Sequence, residues 1–176
     1  MKQLLTILCF LPISLLAQSA MPEMNKMDRV EQSLVQQQFS NQQLDAFRLR
    51  AEQKLIDFCE ASQALSNQEY PAEMKAQIVS LVESYFVPTL ASVMSQSLVG
   101  YLGEVQADLD KAIALDTSSI QWLSKLVRDS GQGRLAFRDE RGKQYEATIS
   151  LQYQTKSFGT ETETVWTVLL VSIEQQ

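Results

Sequence analysis

The segment Leu55-Ile56-Asp57-Phe58-Cys59-Glu60 sets a thiol between two carboxylates. Those residue types suit a nucleophile, a metal ligand or half of a disulfide. The chain has no histidine and two cysteines in 176 residues, and these counts remove much of that chemistry. Without imidazole there is no Ser-His-Asp triad, no Cys-His pair and no His-containing zinc site. No serine stands three residues before a lysine, and Gly131-Gln132-Gly133 lacks the Lys-Ser/Thr that would make it a phosphate loop. A second soft-ligand pattern is Met21, Met24 and Met27, whose steps of three can present thioethers to Cu(I). Methionines at helical steps also serve as gap-filling apolar residues, and both readings stand.

The N-terminus explains the first cysteine. Met1-Lys2-Gln3 precedes an apolar run from Leu4 to Leu16, and Ala17-Gln18-Ser19-Ala20 supplies small residues for cleavage. Residues 1–20 therefore read as a secretory signal peptide, too short for the roughly 20 apolar residues of a spanning helix. Cys9 lies mid-run after Leu8, so it is no lipidation site. The expected product is exported, periplasmic or extracellular, with no integral membrane segment after cleavage. It retains Cys59 alone and so has no internal disulfide. Losing Lys2 moves the net charge from −6 to −7, and no Lys/Arg cluster is present to hold a phosphate backbone, which argues against nucleic acid. Asn25, Asn41 and Asn67 lack the Ser/Thr of a glycosylation acceptor, which fits bacterial export.

Residues 21–39 form an arm, with Met24, Met27, Val30 and Leu34 making a narrow helical stripe that needs a surface to pack on. A single domain, 40–176, follows. Ser40 and Gln43 form a capping box with Phe39 as a hydrophobic staple on Leu44, so a helix starts there. Leu44, Phe47, Ala51, Leu55, Phe58, Ser62 and Leu65 keep one face apolar over about six turns. Cys59 falls at the edge of that face, where a free thiol packs as a small hydrophobe; Asp57 and Glu60 lie on the polar side. A second helix is predicted from Pro71 to Phe86, carrying Met74, Ile78, Leu81 and Tyr85 inward and stopped by Pro88. Ala91 to Gln96 reads as a short extended piece, and Leu98, Tyr101, Leu102 and Val105 as a third helix.

The period then changes to two. Ile120 to Val127 reads as a strand, and Leu135 and Phe137 lead through the turn Asp139–Gly142 to Ile149, Leu151 and Tyr153. In the closing strand Val165, Leu169, Val171 and Ile173 fall on one face and Trp166, Val168 and Leu170 on the other, so both faces want cover. The expected class is α+β, with N-terminal helices packed on a curved antiparallel sheet formed by the C-terminal half.

The helix Gln43 to Leu65, the strand Glu146 to Thr155 and the closing strand Thr164 to Glu174 together resemble the NTF2-like (cystatin-like, cone-shaped) superfamily. The stretch from Leu44 through Phe86 is similar to exported bacterial proteins that are functionally uncharacterised. The resemblance implies a cone between helices and sheet, lined here by Phe47, Leu55, Phe58 and Cys59. Enzymes of that superfamily place carboxylates and tyrosines in the cone, where burial raises a carboxyl pKa. Helical spacing sets Arg48 and Glu52 beside the apolar seam, so the candidates for such a site are Glu52, Arg48, Tyr85 and Tyr153. An Arg–Glu pair four apart is also an ordinary solvated flank, and both tyrosines suit a core. The expected function is a non-catalytic exported domain that binds a small apolar ligand or a protein partner in the cell envelope, without a cofactor. The alternatives are a lyase or isomerase using a pocket carboxylate and tyrosine, or an arm that binds Cu(I). Many NTF2-like domains dimerise through the sheet, which implies a homodimer around Trp166, Val168 and Leu170 or their opposite neighbours.

Overall fold

A computed structural model describes residues 39–126, 131–159 and 161–176. The expected signal segment and arm, up to residue 38, with the methionines Met21, Met24 and Met27, and Val127 lie outside the described residues. Among the described residues the fold is α+β: three α-helices and a six-stranded sheet whose strands do not close.

Helix α1 spans Asn41–Leu65. Its start follows the capping chemistry: Ser40 Oγ accepts from the Gln43 N–H at 3.2 Å, and Gln43 Oε1 accepts from the Ser40 N–H at 2.8 Å. The expected apolar face is buried, from Leu44 through Leu65, with Cys59 within it. Phe39 is buried too, and its ring stands edge-on to Phe47 and to Trp166, so the staple reaches the closing strand.

Helix α2 spans Ala72–Glu83, with Pro71 at its N-cap, and is shorter than the predicted Pro71–Phe86. Its seam is rotated from the expected one. Met74 and Leu81 are 42% and 49% exposed, whereas Val82 is fully buried and Ile78, Val79 and Tyr85 are partly so. The physical reason lies just past the helix. Phe86 drops into the core against Phe58, with ring centroids 5.3 Å apart, and pulls the 78–82–86 line inward.

The extended piece resolves into β1 (Ser92–Val93) and β2 (Gln96–Ser97), joined by Met94 and Ser95 at φ 50° and 61°. Both turn residues lie in the left-handed region that two-residue hairpins require. Helix α3 (Leu98–Ala107) is capped by Ser97 and buries Leu98, Tyr101, Leu102 and Val105, as the spacing predicts. A 3-10 turn, Leu109–Lys111, leads to β3 (Leu115–Ser124), which starts five residues before the expected strand. Strands β4 (Gln132–Asp139), β5 (Gln144–Phe158) and β6 (Glu161–Gln175) complete the sheet, the last two longer than predicted.

The strand order is β2-β1-β6-β5-β4-β3. It is mixed, because β1 runs parallel to β6 while every other pair is antiparallel. The β1–β2 hairpin also falls between α2 and α3 in the chain, so helices and sheet are not cleanly segregated in sequence.

A register shift in the β5–β6 pair changes the phase of the closing strand. Thr148 pairs with Ser172 but Ile149 pairs with Leu170, so Val171 is the extra residue of a bulge. Ile173 therefore shares the inner face with Val168 and Leu170, not the face of Val165 and Leu169. One core cluster joins this inner face to the helices.

Candidate functional site

The space between α1 and the sheet is occupied by side chains. Ala51, Leu55 and Phe58 are fully buried, Cys59 is 1% exposed, and Phe47 is 8% exposed. Phe58 lies edge-on to Phe86 and 5.9 Å from the Tyr101 ring. The four residues expected to line a pocket are instead packing residues of the core. Burial, and then the nearby Glu60 charge, push the Cys59 thiol well above its ordinary range, which suppresses the thiolate needed for reactivity.

Arg48 and Glu52 do come together, as a clasp between α1 and the β3 end of the sheet. Glu52 Oε1 accepts from Trp122 Nε1 at 2.6 Å, and Arg48 Nη2 donates to the Leu126 carbonyl at 3.2 Å. Arg48 also pairs with Asp45, one turn back on the helix. Helical spacing predicts the flank position; the indole partner 70 residues away is set by the tertiary fold. Removing the acceptor would leave a partly buried indole N–H unpaired. Glu52→Ala is expected to cost about 1–3 kcal/mol in urea unfolding followed by tryptophan fluorescence. Glu52→Gln, whose amide oxygen can still accept, should recover most of that loss.

The tyrosines lie apart from this clasp. Tyr85 is partly buried beyond the end of α2, with Lys54 Nζ 5.7 Å from its ring centroid, and its carbonyl accepts from the Leu170 N–H. Burial and then Asp57 raise its pKa. Tyr153 is 43% exposed and leans on Trp166 with centroids 4.9 Å apart, so it is not a core residue. Trp166, Val168 and Leu170, expected to form an intersubunit surface, face the helices instead: Val168 and Leu170 belong to the core, and Trp166 packs on it.

The structure forms a carboxylate–tyrosine pair elsewhere. Tyr145 Oη donates to Asp139 Oδ2 at 3.3 Å, and Asp139 Oδ1 accepts from the backbone N–H groups of Arg141 and Lys143 at 3.0 and 2.8 Å. Both side chains are buried, at the wall of a cleft of about 290 Å³ that Met94, Glu104, Lys111 and Arg141 also line. Burial, followed by the Asp139 charge, pushes Tyr145 up to about 12, so it remains a hydrogen-bond donor at neutral pH. Asp139 is engaged on both oxygens and holds the β4–β5 turn, where Gly142 takes φ 81°. Sequence reasoning treats Asp139 only as a turn residue. The signal that could have found the pair is a buried-phase Asp at the end of one strand and a Tyr at the start of the next.

A second concavity is apolar. Between α2 and α3 lies a groove of about 500 Å³ lined by Pro88, Ala91, Leu98 and Val99, with Ser80, Glu83, Ser84 and Ser97 at its polar side. Val99 is 66% exposed and Leu90, close by in the chain, 59%. Among the described residues no group of three or more Cys, Asp or Glu side chains forms a metal-binding cluster, and no helix is long and apolar enough to cross a membrane. No protein-family model matches the chain, and comparisons with curated proteins and with solved structures return no match.

Proposed function

We propose that this chain is a non-catalytic, exported domain of the cell envelope that binds a small apolar ligand in the groove between α2 and α3. The observation that carries this reading is the groove itself. Its volume of about 500 Å³ and its lining of Pro88, Ala91, Leu98 and Val99 match the size and chemistry of small-molecule sites. Export is supported by the leader pattern at residues 1–20. An NTF2-like fold is the architecture we assign with it, supported by the long first helix and the long β5–β6 pair; the parallel β1–β6 pairing is a departure. The filled α1–sheet interior and the occupied Glu52 carboxylate favour binding over lyase or isomerase chemistry.

The test is titration of the full chain with an uncharged fluorescent arylamine such as N-phenyl-1-naphthylamine. Saturable one-to-one binding is expected, weakened at least tenfold by Val99→Glu, a change at an exposed position that the fold tolerates. Absence of binding, or binding indifferent to Val99→Glu, refutes the assignment.

A further inference from the structure

The polar side of the groove between α2 and α3 carries a charge of one sign. Among the described residues Glu83 is the only charged group in its lining, and no Lys or Arg stands with it. Glu83 is exposed at the last position of α2, and among the described residues its carboxylate takes part in no ion pair. The last turn of α2 contains no basic residue either, so no side chain of the helix offsets the negative end of its dipole. Ser84, the next residue, donates its hydroxyl proton to the Leu81 carbonyl at 2.6 Å, which leaves its oxygen as an acceptor. A carboxylate and a hydroxyl lone pair thus stand beside the apolar lining of Pro88, Ala91, Leu98 and Val99.

The N-terminus of α3 opposes this, because its positive end meets the same groove at Leu98 and Val99. Its leading donors are already engaged, however. The Leu98 N–H donates to the Ala91 carbonyl at 3.3 Å, and the Gly100 N–H to Ser97 Oγ at 3.2 Å. The unit charge of Glu83 outweighs a partial charge whose donors are occupied, and the chain's net charge of −6 acts in the same direction.

With the groove as the domain's ligand site, the reading on which this rests, we infer that it selects small organic cations: a primary ammonium group joined to an apolar chain. The chain lies on Pro88, Leu98 and Val99, and the ammonium is held by the Glu83 carboxylate and Ser84 Oγ. An ammonium carries three donors and no acceptor, so it matches both groups, whereas a carboxylate head would meet a like charge and no free donor from either. Because Glu83 is exposed, the charged head stays in contact with water and only the apolar chain is desolvated. Uncharged ligands still bind through the apolar lining; the charge decides which ligands bind best.

Calorimetric titration of the full chain with octylammonium and with octanoate, equal in chain length and opposite in head charge, tests this beside the uncharged arylamine. An exposed charge pair is worth up to about fivefold in affinity, and exchanging attraction for repulsion widens the contrast, so octylammonium is expected to bind at least about threefold more tightly than octanoate. Raising the salt from about 0.1 M to 1 M, which shortens the screening length from about 10 Å to about 3 Å, should shrink that preference. Glu83→Gln should erase it and Glu83→Lys reverse it, with unchanged far-UV circular dichroism showing that the exposed helix end tolerates both. Equal affinity for the two ligands, tighter binding of octanoate, or a preference that survives Glu83→Gln overturns the inference. The arylamine separates this failure from that of the groove. Arylamine binding that Val99→Glu weakens, without any preference for the cation, refutes the cation alone; no arylamine binding refutes both.

Discussion

Phe58→Ala is expected to lower the free energy of unfolding by about 3–5 kcal/mol, the usual range for deleting a buried aromatic ring. Phe58 is fully buried in the C-terminal half of α1, edge-on to Phe86 and 5.9 Å from Tyr101. One ring thus joins α1 to the segment after α2 and to α3. The neighbours are poorly able to close the space. Phe86 is fixed by its bridge to Leu170, and Tyr101 by the bond its hydroxyl accepts from the Ile113 N–H at 3.3 Å. A domain of this size has about 5–15 kcal/mol in total, so the loss is a large share of it. Urea unfolding monitored by far-UV circular dichroism provides the measurement. A change below 1 kcal/mol would show that the helices do not meet on this ring.

The second large effect is expected at Gly133. Its place in the fold is a close approach: a Cβ there would stand 2.7 Å from Trp122 Cζ3, 2.9 Å from the Leu126 nitrogen and 3.1 Å from the Ser124 carbonyl oxygen. An indole can shift by a few tenths of an ångström; backbone atoms at the end of β3 and just beyond it cannot do so cheaply. Gly133→Ala is therefore expected to destabilise by about 1–3 kcal/mol, the ordinary range for overpacking. The damage should be local. Trp122 carries the bond to Glu52, and the Leu126 carbonyl accepts from Arg48, so the clasp on α1 is strained along with the β3–β4 pair. Tryptophan emission should shift red, and combining Gly133→Ala with Glu52→Ala should cost less than the sum of the two, because both act on one network. Strict additivity would place the two effects in separate parts of the structure.

These two residues also show which parts of the protein are legible in the chain. Phe58 belongs to a seven-position apolar stripe with a capping box ahead of it, and local spacing of that kind fixes both helix start and buried face. The same holds for α3 and for the turn at Asp139–Gly142. Gly133 carries no such signal, because the reason for its lack of a side chain is a tryptophan eleven residues earlier that only strand pairing brings near.

The misread faces have the same origin. In α2, Met74 and Leu81 fit an apolar stripe as well as Val82 and Phe86 do, and the choice is made by where Phe58 leaves room. In β6, period-two alternation would group Ile173 with Leu169; the bulge at Val171 reverses the phase, and a bulge depends on pairing with β5. The parallel contact of β1 with β6 joins residues some 80 positions apart.

At the candidate site the division is similar. Composition alone excludes imidazole chemistry, since that needs a residue that is absent. Spacing alone sets Arg48 and Glu52 on one flank of α1. It cannot say whether that flank meets solvent, substrate or an indole. Local periodicity is a property of i, i+3 and i+4 neighbours, and it therefore determined the helices and the apolar stripes of α1 and α3. The partner of each polar side chain, the filled interior behind Phe58, and the pairing of Asp139 with Tyr145 are set by packing among distant segments, so only the tertiary structure decided them.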